Sequence, residues 1–251
     1  SAVRLHLSRF LCLDVASNLD RCEREARSAA SRGADVVVFP EIFLTGYRRT
    51  LEAETARARF AAISSDHPNT TFLFGTITEQ RRNRLTVWRG GRCTVHYDKV
   101  HLFEPNRESE YWEPGDRYVA LAHGPWRIGL LTCNDVRFPE QARSLRLKAH
   151  VDLLVAVAWW PWRREDAWKT LLKARAIENA IFCAGCCIAG SEHPDEPFAG
   201  AGNHVFDPLG VAVPTEDDHS YHLYRSRLRL PLVDPRSTWR AIDTVLSPPE
   251  P

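Results

Sequence analysis

Long apolar runs alternate with amphipathic segments along the chain, and the two patterns predict different elements of secondary structure. The runs ADVVVFPE (34–41) and VDLLVAVAWW (151–160) are typical of strands that are buried on both faces of a sheet. Before the first run, Leu19, Cys22 and Ala26 recur at helical spacing. Strands that alternate with helices in this way predict an α/β protein whose sheet is covered on both faces.

The same pattern predicts the other elements in chain order. We expect a strand over 3–13, followed by a helix that Ser17 or Asn18 caps and that ends near Arg32. The remaining expected elements are helices over 52–64, 139–149 and 166–180, strands over 72–77, 128–132 and 181–190, and a hairpin over 85–97 that turns at Gly90-Gly91. Residues 98–117 form a long polar loop. No linker or repeat divides the chain, so we expect one domain over residues 1–251, with a surface tail over about 240–251.

The composition argues against several classes of function. The net charge of +1 gives no reason to expect binding to nucleic acid or to an acidic membrane surface. Seven cysteines, an odd number in a chain of this length, favour reduced thiols over a disulfide framework. The sequence has no apolar run of membrane-spanning length and no signal-peptide pattern. We therefore expect a cytoplasmic protein.

A thiol stands where a predicted strand passes into a predicted helix, in the stretch IGLLTCNDVRFPE (128–140). The apolar run ends at Cys133, the following Asn-Asp pair favours a tight turn, and Pro139 is typical of a first helical turn. Ligands bind at the carboxyl ends of strands in open α/β sheets, and a nearby helix N-terminus lowers the pKa of a thiol. Cys133 is therefore a candidate nucleophile, although such a cysteine is more often a small buried hydrophobic residue.

Two other ionisable residues follow predicted strands. Glu41 comes directly after VVVFP, where an unpaired carboxylate would be destabilising, and Lys99 lies in YDKVHLF, just after the hairpin. With Cys133 they would supply a general base, a cation for a developing oxyanion, and a nucleophile. Considered separately, Glu41 is better explained as a turn or helix cap, and Lys99 as half of a structural ion pair, because ion-pair networks also use such positions.

Three separated stretches in a fixed order favour the functional interpretation: VVFPEIFLTGY, YDKVHLF and CNDVRFPE. With the later segment WPW…W…LLKARAIENAIFCAGC, they resemble the nitrilase superfamily of carbon–nitrogen hydrolases over residues 3 to about 213. The resemblance implies that Glu41 is the general base, Lys99 the oxyanion-stabilising cation and Cys133 the nucleophile. It also implies that the backbone N–H of Asn134 contributes to oxyanion stabilisation.

Members of this superfamily often carry a second catalytic glutamate before a Pro-Gly pair. In EYWEPGD the best match is Glu110, although Glu108 and Glu113 lie close by. The resemblance further implies a four-layer αββα sandwich with two mixed β-sheets. It implies a homodimer or higher homo-oligomer that often forms through the helices after Cys133 and after the ARAIEN segment.

The chemistry implied by the resemblance is hydrolysis of a small amide through a cysteine thioester, with release of ammonia and no metal or organic cofactor. The WP…ARAIEN region most resembles small bacterial omega-amidase-like enzymes, which act on monoamides of short dicarboxylic acids. N-carbamoyl amide hydrolase, aliphatic amidase and nitrilase stay open, because all of them use the same triad on a small amide or nitrile.

Several residues affect specificity or local structure on this interpretation. Trp159 and Trp160 are candidates for the substrate pocket, with core or dimer packing as the alternative. Three residues differ from those that relatives usually carry at the same positions: Trp159, Cys187 and Asn203. The substrate can therefore differ from that of close relatives. Asp135 and Arg137 are expected to fix the turn after Cys133. Arg175 and Glu178 are expected to form a salt bridge on a helix. Arg163 or Arg164 is expected either to receive a substrate carboxylate or to remain solvated at the surface.

Three rival interpretations remain open from the sequence. CAGCC (183–187) resembles half of a zinc site, but no second CxxC supplies the other ligands, so strand packing is favoured. The chain can also be a binding protein that keeps the fold without catalysis, which the intact Glu41, Lys99 and Cys133 argue against. Finally, a papain-like hydrolase would need a histidine serving Cys133, and His101 is the nearest candidate in a motif.

Overall fold

The structure is a computed structural model that describes residues 1–216 and 219–228. Within these residues, strands and helices alternate along most of the chain. The helices are α1 (Val15–Ser31), α2 (Ala53–Asp66), α3 (Pro139–Ala149) and α4 (Glu165–Asn179). The strands are β1 (Ala2–Leu7), β2 (Leu11–Cys12), β3 (Val36–Phe39), β4 (Thr71–Glu79), β5 (Arg82–Arg89), β6 (Arg92–Asp98), β7 (Ala120–His123), β8 (Trp126–Thr132), β9 (Leu153–Ala158), β10 (Phe182–Cys187), β11 (Gly190–Ser191), β12 (Phe198–Ala199), β13 (His204–Phe206) and β14 (Ser220–Tyr224). No helix among the described residues is long and apolar enough to cross a bilayer.

Two mixed sheets form the centre of the protein. The first has the strand order β14-β1-β3-β4-β5-β6, in which β1, β3 and β4 are parallel and the other neighbouring pairs are antiparallel. The second has the order β13-β10-β9-β8-β7, in which β8, β9 and β10 are parallel. A small third sheet, β12-β11-β2, joins the N-terminal segment to the region after β10.

Alternation of side chains along the strands creates two separate layers of core. In β3, Val36 and Val38 pack into one hydrophobic cluster that both large sheets share, whereas Val37 and Phe39 pack into a cluster with the helices. Leu130 and Leu131 of β8 divide between the same two clusters. Helices α1 and α2 cover the first sheet, and α3 and α4 cover the second. The expected α/β fold, an αββα sandwich with two mixed sheets, is confirmed.

The predicted elements are mostly confirmed, and the differences lie at their ends. The strand expected over 3–13 is wrong in extent, because the chain leaves the first sheet after Leu7 and resumes as β2 in the small sheet. The helix cap is Asp14, whose carboxylate accepts the N–H of Ser17 at 2.9 Å, rather than Ser17 or Asn18. Asn18 is buried and donates to the carbonyl of Leu44 at 3.0 Å. The predicted surface tail lies outside the described residues.

Gly75 permits the close approach of two strands just before the predicted site. It lies in β4 at an irregularity in the pairing with β5. A Cβ at this position would stand 1.9 Å from the carbonyl oxygen of Phe39 and 2.6 Å from that of Pro40. Only glycine therefore lets β4 pass against the end of β3, where the chain reaches Glu41.

Candidate active site

Glu41 follows β3 and is completely buried, yet both of its carboxylate oxygens have hydrogen-bond donors. Its Oε1 accepts from Lys99 Nζ at 2.9 Å and from Asn83 Nδ2 at 2.8 Å. Its Oε2 accepts the backbone N–H of Trp159 at 2.9 Å. Residues from the regions of both large sheets thus hold Glu41. This set of hydrogen bonds does not fit the interpretation of Glu41 as a simple turn cap.

Lys99 is also completely buried, and it lies between two carboxylates. Its Nζ is 2.9 Å from Glu41 Oε1 and 2.9 Å from Glu108 Oε2. Burial alone would lower the pKa of the ammonium, but the charges of Glu41 and Glu108 raise it well above its ordinary value. Lys99 therefore stays protonated at neutral pH and supplies a fixed positive charge in a site without solvent.

Glu41, Lys99 and a second glutamate form a buried charged cluster, and this second glutamate is Glu108 and not the predicted Glu110. Glu108 is buried and accepts the N–H of Phe103 at 2.8 Å and the hydroxyl of Tyr47 at 2.8 Å, in addition to Lys99. Glu110 is 53% exposed and pairs with Arg107. The assignment of Glu110 is corrected for a local reason: Arg107 has a left-handed backbone with φ 54°, and the turn that follows directs Glu108 inward.

Replacement of either Glu108 or Glu110 by glutamine should show which of the two glutamates catalytic turnover depends on. Glu108→Gln removes one of the two charges that hold Lys99, so we expect catalytic turnover to fall by about 10²-fold. Glu110→Gln breaks only an exposed ion pair, so turnover should stay within about twofold of wild type. Steady-state ammonia release measures both variants, and a larger loss in Glu110→Gln would restore the original assignment.

Cys133 directly follows β8 and stands at a strained turn. Its backbone has φ 49°, a left-handed conformation that is unfavourable for a residue with a side chain, and its Sγ lies 3.7 Å from the carbonyl oxygen of Trp159. Burial raises the pKa of the thiol well above its ordinary value, the charge of Glu41 adds to this, and Lys99 opposes it. The expected lowering of the thiol pKa by a helix N-terminus is wrong, because the chain continues as a short 3₁₀-helix, Cys133–Arg137, and burial dominates. The resting group is a neutral thiol that needs a base.

Asp135 fixes the turn, as expected, and links it to the Lys99 segment. Its Oδ2 accepts the N–H of Thr132 at 2.8 Å and the hydroxyl of Tyr97 at 2.6 Å. Its Oδ1 accepts the N–H of His101 at 3.0 Å and lies 2.8 Å from the Nδ1 of the same histidine. The imidazole of His101 is thus engaged by Asp135, and it also stacks on Phe138 with ring centroids 3.8 Å apart. This geometry opposes a Cys–His hydrolase.

Asn134 and Arg137 complete the turn. Asn134 lies in the first turn of the 3₁₀-helix, where backbone N–H groups have no partner inside the helix. The side chain of Asn134 donates to the carbonyls of His101 and Leu102, both at 3.2 Å, and accepts from Arg137 at 3.0 Å. Arg137 therefore binds Asn134 rather than Asp135.

An open cleft of about 840 Å³ adjoins the cluster. Trp159 lines it, and its ring packs against Tyr47 at 6.0 Å and Phe198 at 5.1 Å between centroids. Trp160 lies in the core instead, 1% exposed and packed on Trp168, so a direct role in substrate binding is not supported for it. Further lining residues are Arg48, Asn106, Tyr111, Arg163, Asp195, Glu196 and Pro197.

The remaining sequence candidates are structural. Cys183 packs toward the helices and Cys186 toward the space between the sheets, so the CAGCC thiols diverge. No group of three or more metal-binding side chains converges within the described residues. The backbone N–H of Cys187 donates to Asn203 Oδ1 at 2.8 Å, so these two departures from the family pattern contact each other. Arg175 and Glu178 form the expected salt bridge at 2.7 Å.

Two contacts of the cluster were not predicted from the sequence: Asn83 on Glu41 and Tyr47 on Glu108. Tyr47 ends the FLTGY motif, so its position six residues after Glu41 was an available signal. Asn83 lies in β5, and no local sequence pattern marks it as a functional residue. Only the pairing of β5 with β6 brings it beside Lys99.

Known proteins resemble this chain in sequence and in fold. The chain is 34% identical over 215 residues to omega-amidase YafV of Escherichia coli (strain K12), which covers 82% of this chain and 81% of the relative. It is 34% identical to 2-oxoglutaramate amidase of Bacillus subtilis (strain 168) over 194 residues, which covers 72% of this chain and 73% of the relative. Among solved structures, a mutant of the Nesterenkonia AN1 amidase from the nitrilase superfamily has a TM-score of 0.76 at 25% identity, over 96% of this chain and 94% of that one.

A family pattern described as carbon–nitrogen hydrolase matches residues 3–221, which include Glu41, Lys99, Glu108 and Cys133. The match extends over most of the chain, and the curated relatives agree with it in sequence over more than two thirds of their length. The protein therefore belongs to the carbon–nitrogen hydrolase family.

Proposed function

We propose that this protein is an amidase that hydrolyses the terminal amide of a small linear substrate through a thioester on Cys133. The observation that carries the proposal is the buried cluster of Glu41, Lys99 and Glu108, joined to Cys133 through the backbone of Trp159. A charged cluster of this kind, buried beside a thiol, is expensive for folding and is typical of a catalytic site. A silent binding protein would have no use for it.

Acylation begins with proton transfer from the Cys133 thiol to Glu41. The thiolate sulfur attacks the amide carbon, and the carbonyl oxygen becomes an oxyanion that Lys99 and the backbone N–H of Asn134 stabilise. Glu41 then returns its proton to the amide nitrogen as the carbon–nitrogen bond breaks, so that ammonia leaves and a thioester stays. Because burial raises the pKa of the thiol, the attack needs Glu41 as a base.

Deacylation reverses the roles of the same groups. Glu41 takes a proton from water, and the hydroxide adds to the thioester carbon. Collapse of the second tetrahedral intermediate breaks the carbon–sulfur bond, and Glu41 gives the proton back to the Cys133 thiolate. Glu108 takes no proton in this cycle: it holds the Lys99 ammonium in place, 2.9 Å from its Oε2.

We infer an omega-amide of a short dicarboxylic acid as the substrate. The relatives named as omega-amidase and 2-oxoglutaramate amidase support this choice. Arg137 supports it independently. Burial lowers its pKa, a charge on Cys133 opposes this and the charge of Arg164 adds to it, and among the described residues its guanidinium donates to Asn134 and forms no ion pair with a carboxylate. A half-buried guanidinium next to Cys133 is suited to the second carboxylate of such a substrate.

Ammonia release from matched substrates tests the proposal. We expect the omega-amides of four- and five-carbon dicarboxylic acids to exceed neutral amides of equal length by about 10–100-fold in kcat/KM, because one charged hydrogen-bonding group distinguishes them. Preference for N-carbamoyl compounds or nitriles would favour the alternative activities on the same triad. If no compound of these classes released ammonia or formed a thioester detectable by mass spectrometry, the amidase proposal would be wrong.

We further propose that the enzyme acts in the cytoplasm as a single-domain subunit of a homodimer or larger homo-oligomer. Seven free cysteines support a reducing compartment. Size-exclusion chromatography with light scattering measures the oligomeric state, and a strictly monomeric active enzyme would contradict that part of the proposal.

A further inference from the structure

The donors to the Glu41 carboxylate are distributed unequally between its two oxygens. Oε1 accepts from Lys99 Nζ at 2.9 Å and from Asn83 Nδ2 at 2.8 Å. Among the described residues, Oε2 accepts only from the backbone N–H of Trp159. A carboxylate oxygen has two acceptor sites, so Oε1 is fully occupied while Oε2 keeps one site open.

The oxygen with the open site and the nucleophile are both held by the backbone of Trp159. Trp159 holds Oε2 through its N–H, and its carbonyl oxygen lies 3.7 Å from the Sγ of Cys133. Both reacting groups are therefore tied to the backbone of one residue, at the end of β9 beside the end of β8. Oε2 can therefore accept a proton without loss of the hydrogen bonds that Lys99 and Asn83 make to Oε1.

We propose that Asn83 is a positioning residue that occupies the second acceptor site of Glu41 Oε1, so that Oε2 is the oxygen that takes and returns the proton. The inference deepens the proposed function and rests on Glu41 being its general base. Asn83 is held firmly for this role: it is 1% exposed, and its own carbonyl accepts the backbone N–H of Lys99 at 3.0 Å. The side chains of two cross-strand neighbours thus converge on one oxygen.

Asn83 is also a neutral donor to a buried carboxylate, and such a donor stabilises negative charge without adding a charge of its own. The ionisable groups that act on Glu41 from the surrounding elements are Tyr47, Lys99, Glu108, Cys133 and Cys187. Substitution of Asn83 changes none of these groups. The Oδ1 of Asn83 is buried and has no hydrogen-bond partner among the described residues, which is destabilising, so packing alone does not explain an asparagine here.

Alkylation of Cys133 by iodoacetamide tests the inference without any knowledge of the substrate. The sulfur displaces iodide and loses its proton to Glu41, so the rate at each pH reports the fraction of ionised Glu41. We expect Asn83→Ala to slow alkylation about tenfold on the acid limb of the pH profile, where a rise of the midpoint by about one pH unit acts in full, the equivalent of one lost charged hydrogen bond. Asn83→Asp keeps the side-chain volume but replaces a donor with a charge, so it should raise the midpoint further.

Asn179→Ala is the matched control. Asn179 is a buried asparagine of α4 whose amide donates to the carbonyl of Arg175 at 2.9 Å. Within the part of the chain that the structure describes, its Oδ1 also has no hydrogen-bond partner. This variant should lose stability in urea unfolding but keep the wild-type midpoint of Cys133 alkylation, read by mass spectrometry of the Cys133 peptide.

The outcomes separate the two proposals. If both Asn83 variants kept the wild-type midpoint and differed from wild type only in stability, as Asn179→Ala should, the positioning role would be wrong whatever the enzyme hydrolyses. If the midpoints shifted as expected while no amide was hydrolysed, Asn83 would still position Glu41, and the proposed reaction alone would fail.

Discussion

Replacement of Cys133 by alanine will lower ammonia release by about four orders of magnitude or more, because no other group in the cluster can form the thioester. Glu41, Lys99 and Glu108 remain in place in this variant, and a carboxylate–ammonium cluster alone cannot replace a covalent intermediate. Alanine also tolerates the left-handed backbone at this position about as well as cysteine does. The loss should therefore appear in kcat without unfolding, which circular dichroism and thermal melting measure.

Cys93→Ala is the control for this variant. Cys93 is a free, half-buried thiol in β6, away from the end of β8, and its removal should leave turnover within about twofold of wild type. Intact-mass measurement during turnover should detect an adduct equal to the substrate minus ammonia in wild type and in Cys93→Ala. Retention of one tenth of the activity by Cys133→Ala, or a thioester on another cysteine, would contradict the assignment of the nucleophile.

The positions of Glu41 and Cys133 could be predicted because each follows a strongly apolar strand, and strand ends are what hydrophobic patterning locates well. Lys99 was identifiable by the YDKVHLF motif. That Glu41, Lys99 and Cys133 lie together could be predicted only from the family resemblance. They follow β3, β6 and β8, which belong to two different sheets, and no local pattern shows that the ends of these strands meet.

The errors have specific physical causes. Glu108 and Glu110 are two residues apart in one polar loop, and the left-handed backbone of Arg107 together with the partners of Glu108 inside the protein, which no local pattern shows, distinguishes them. The pKa of Cys133 was expected to fall from a local helix argument, whereas burial and the charge of Glu41, 92 residues earlier in the sequence, raise it. Asn83 gave no signal, since its function depends on a contact across 42 residues. Local patterns thus located the reactive groups but not the groups that set their charges.

Replacement of Lys99 by methionine will produce the largest loss of stability of any single substitution in the cluster. The variant leaves Glu41 and Glu108 completely buried without a cation, and breaking a buried ion pair in this way costs about 3–5 kcal/mol of the free energy of unfolding at neutral pH. Turnover should vanish as well, because the oxyanion loses its charged partner. Urea unfolding measures the stability, and Lys169→Met, at an exposed lysine of α4, should stay within about 0.5 kcal/mol of wild type.

The pH dependence of this loss identifies its cause. Burial raises the pKa of Glu108, Lys99 opposes that effect, and Glu41 adds to it, so removal of Lys99 raises the pKa of Glu108 in the folded protein further above its unfolded value. A folded-state carboxyl with a raised pKa binds more protons than the unfolded chain, so the free energy of unfolding falls as pH rises above the unfolded value of about 4.3. Lys99→Met should therefore regain stability as the pH is lowered from 8 toward 5.

A second substitution distinguishes uncompensated charge from lost packing. Lys99→Met combined with Glu108→Gln removes the excess carboxylate while it keeps the side-chain volume, so it should be more stable than Lys99→Met alone at pH 8 and nearly equal to it near pH 4, where the carboxyl is protonated in both states. An equal loss at every pH, with no recovery in the double variant, would show that Lys99 contributes through its methylene chain. In that case the charge of Lys99 would not be what holds Glu41 and Glu108 together.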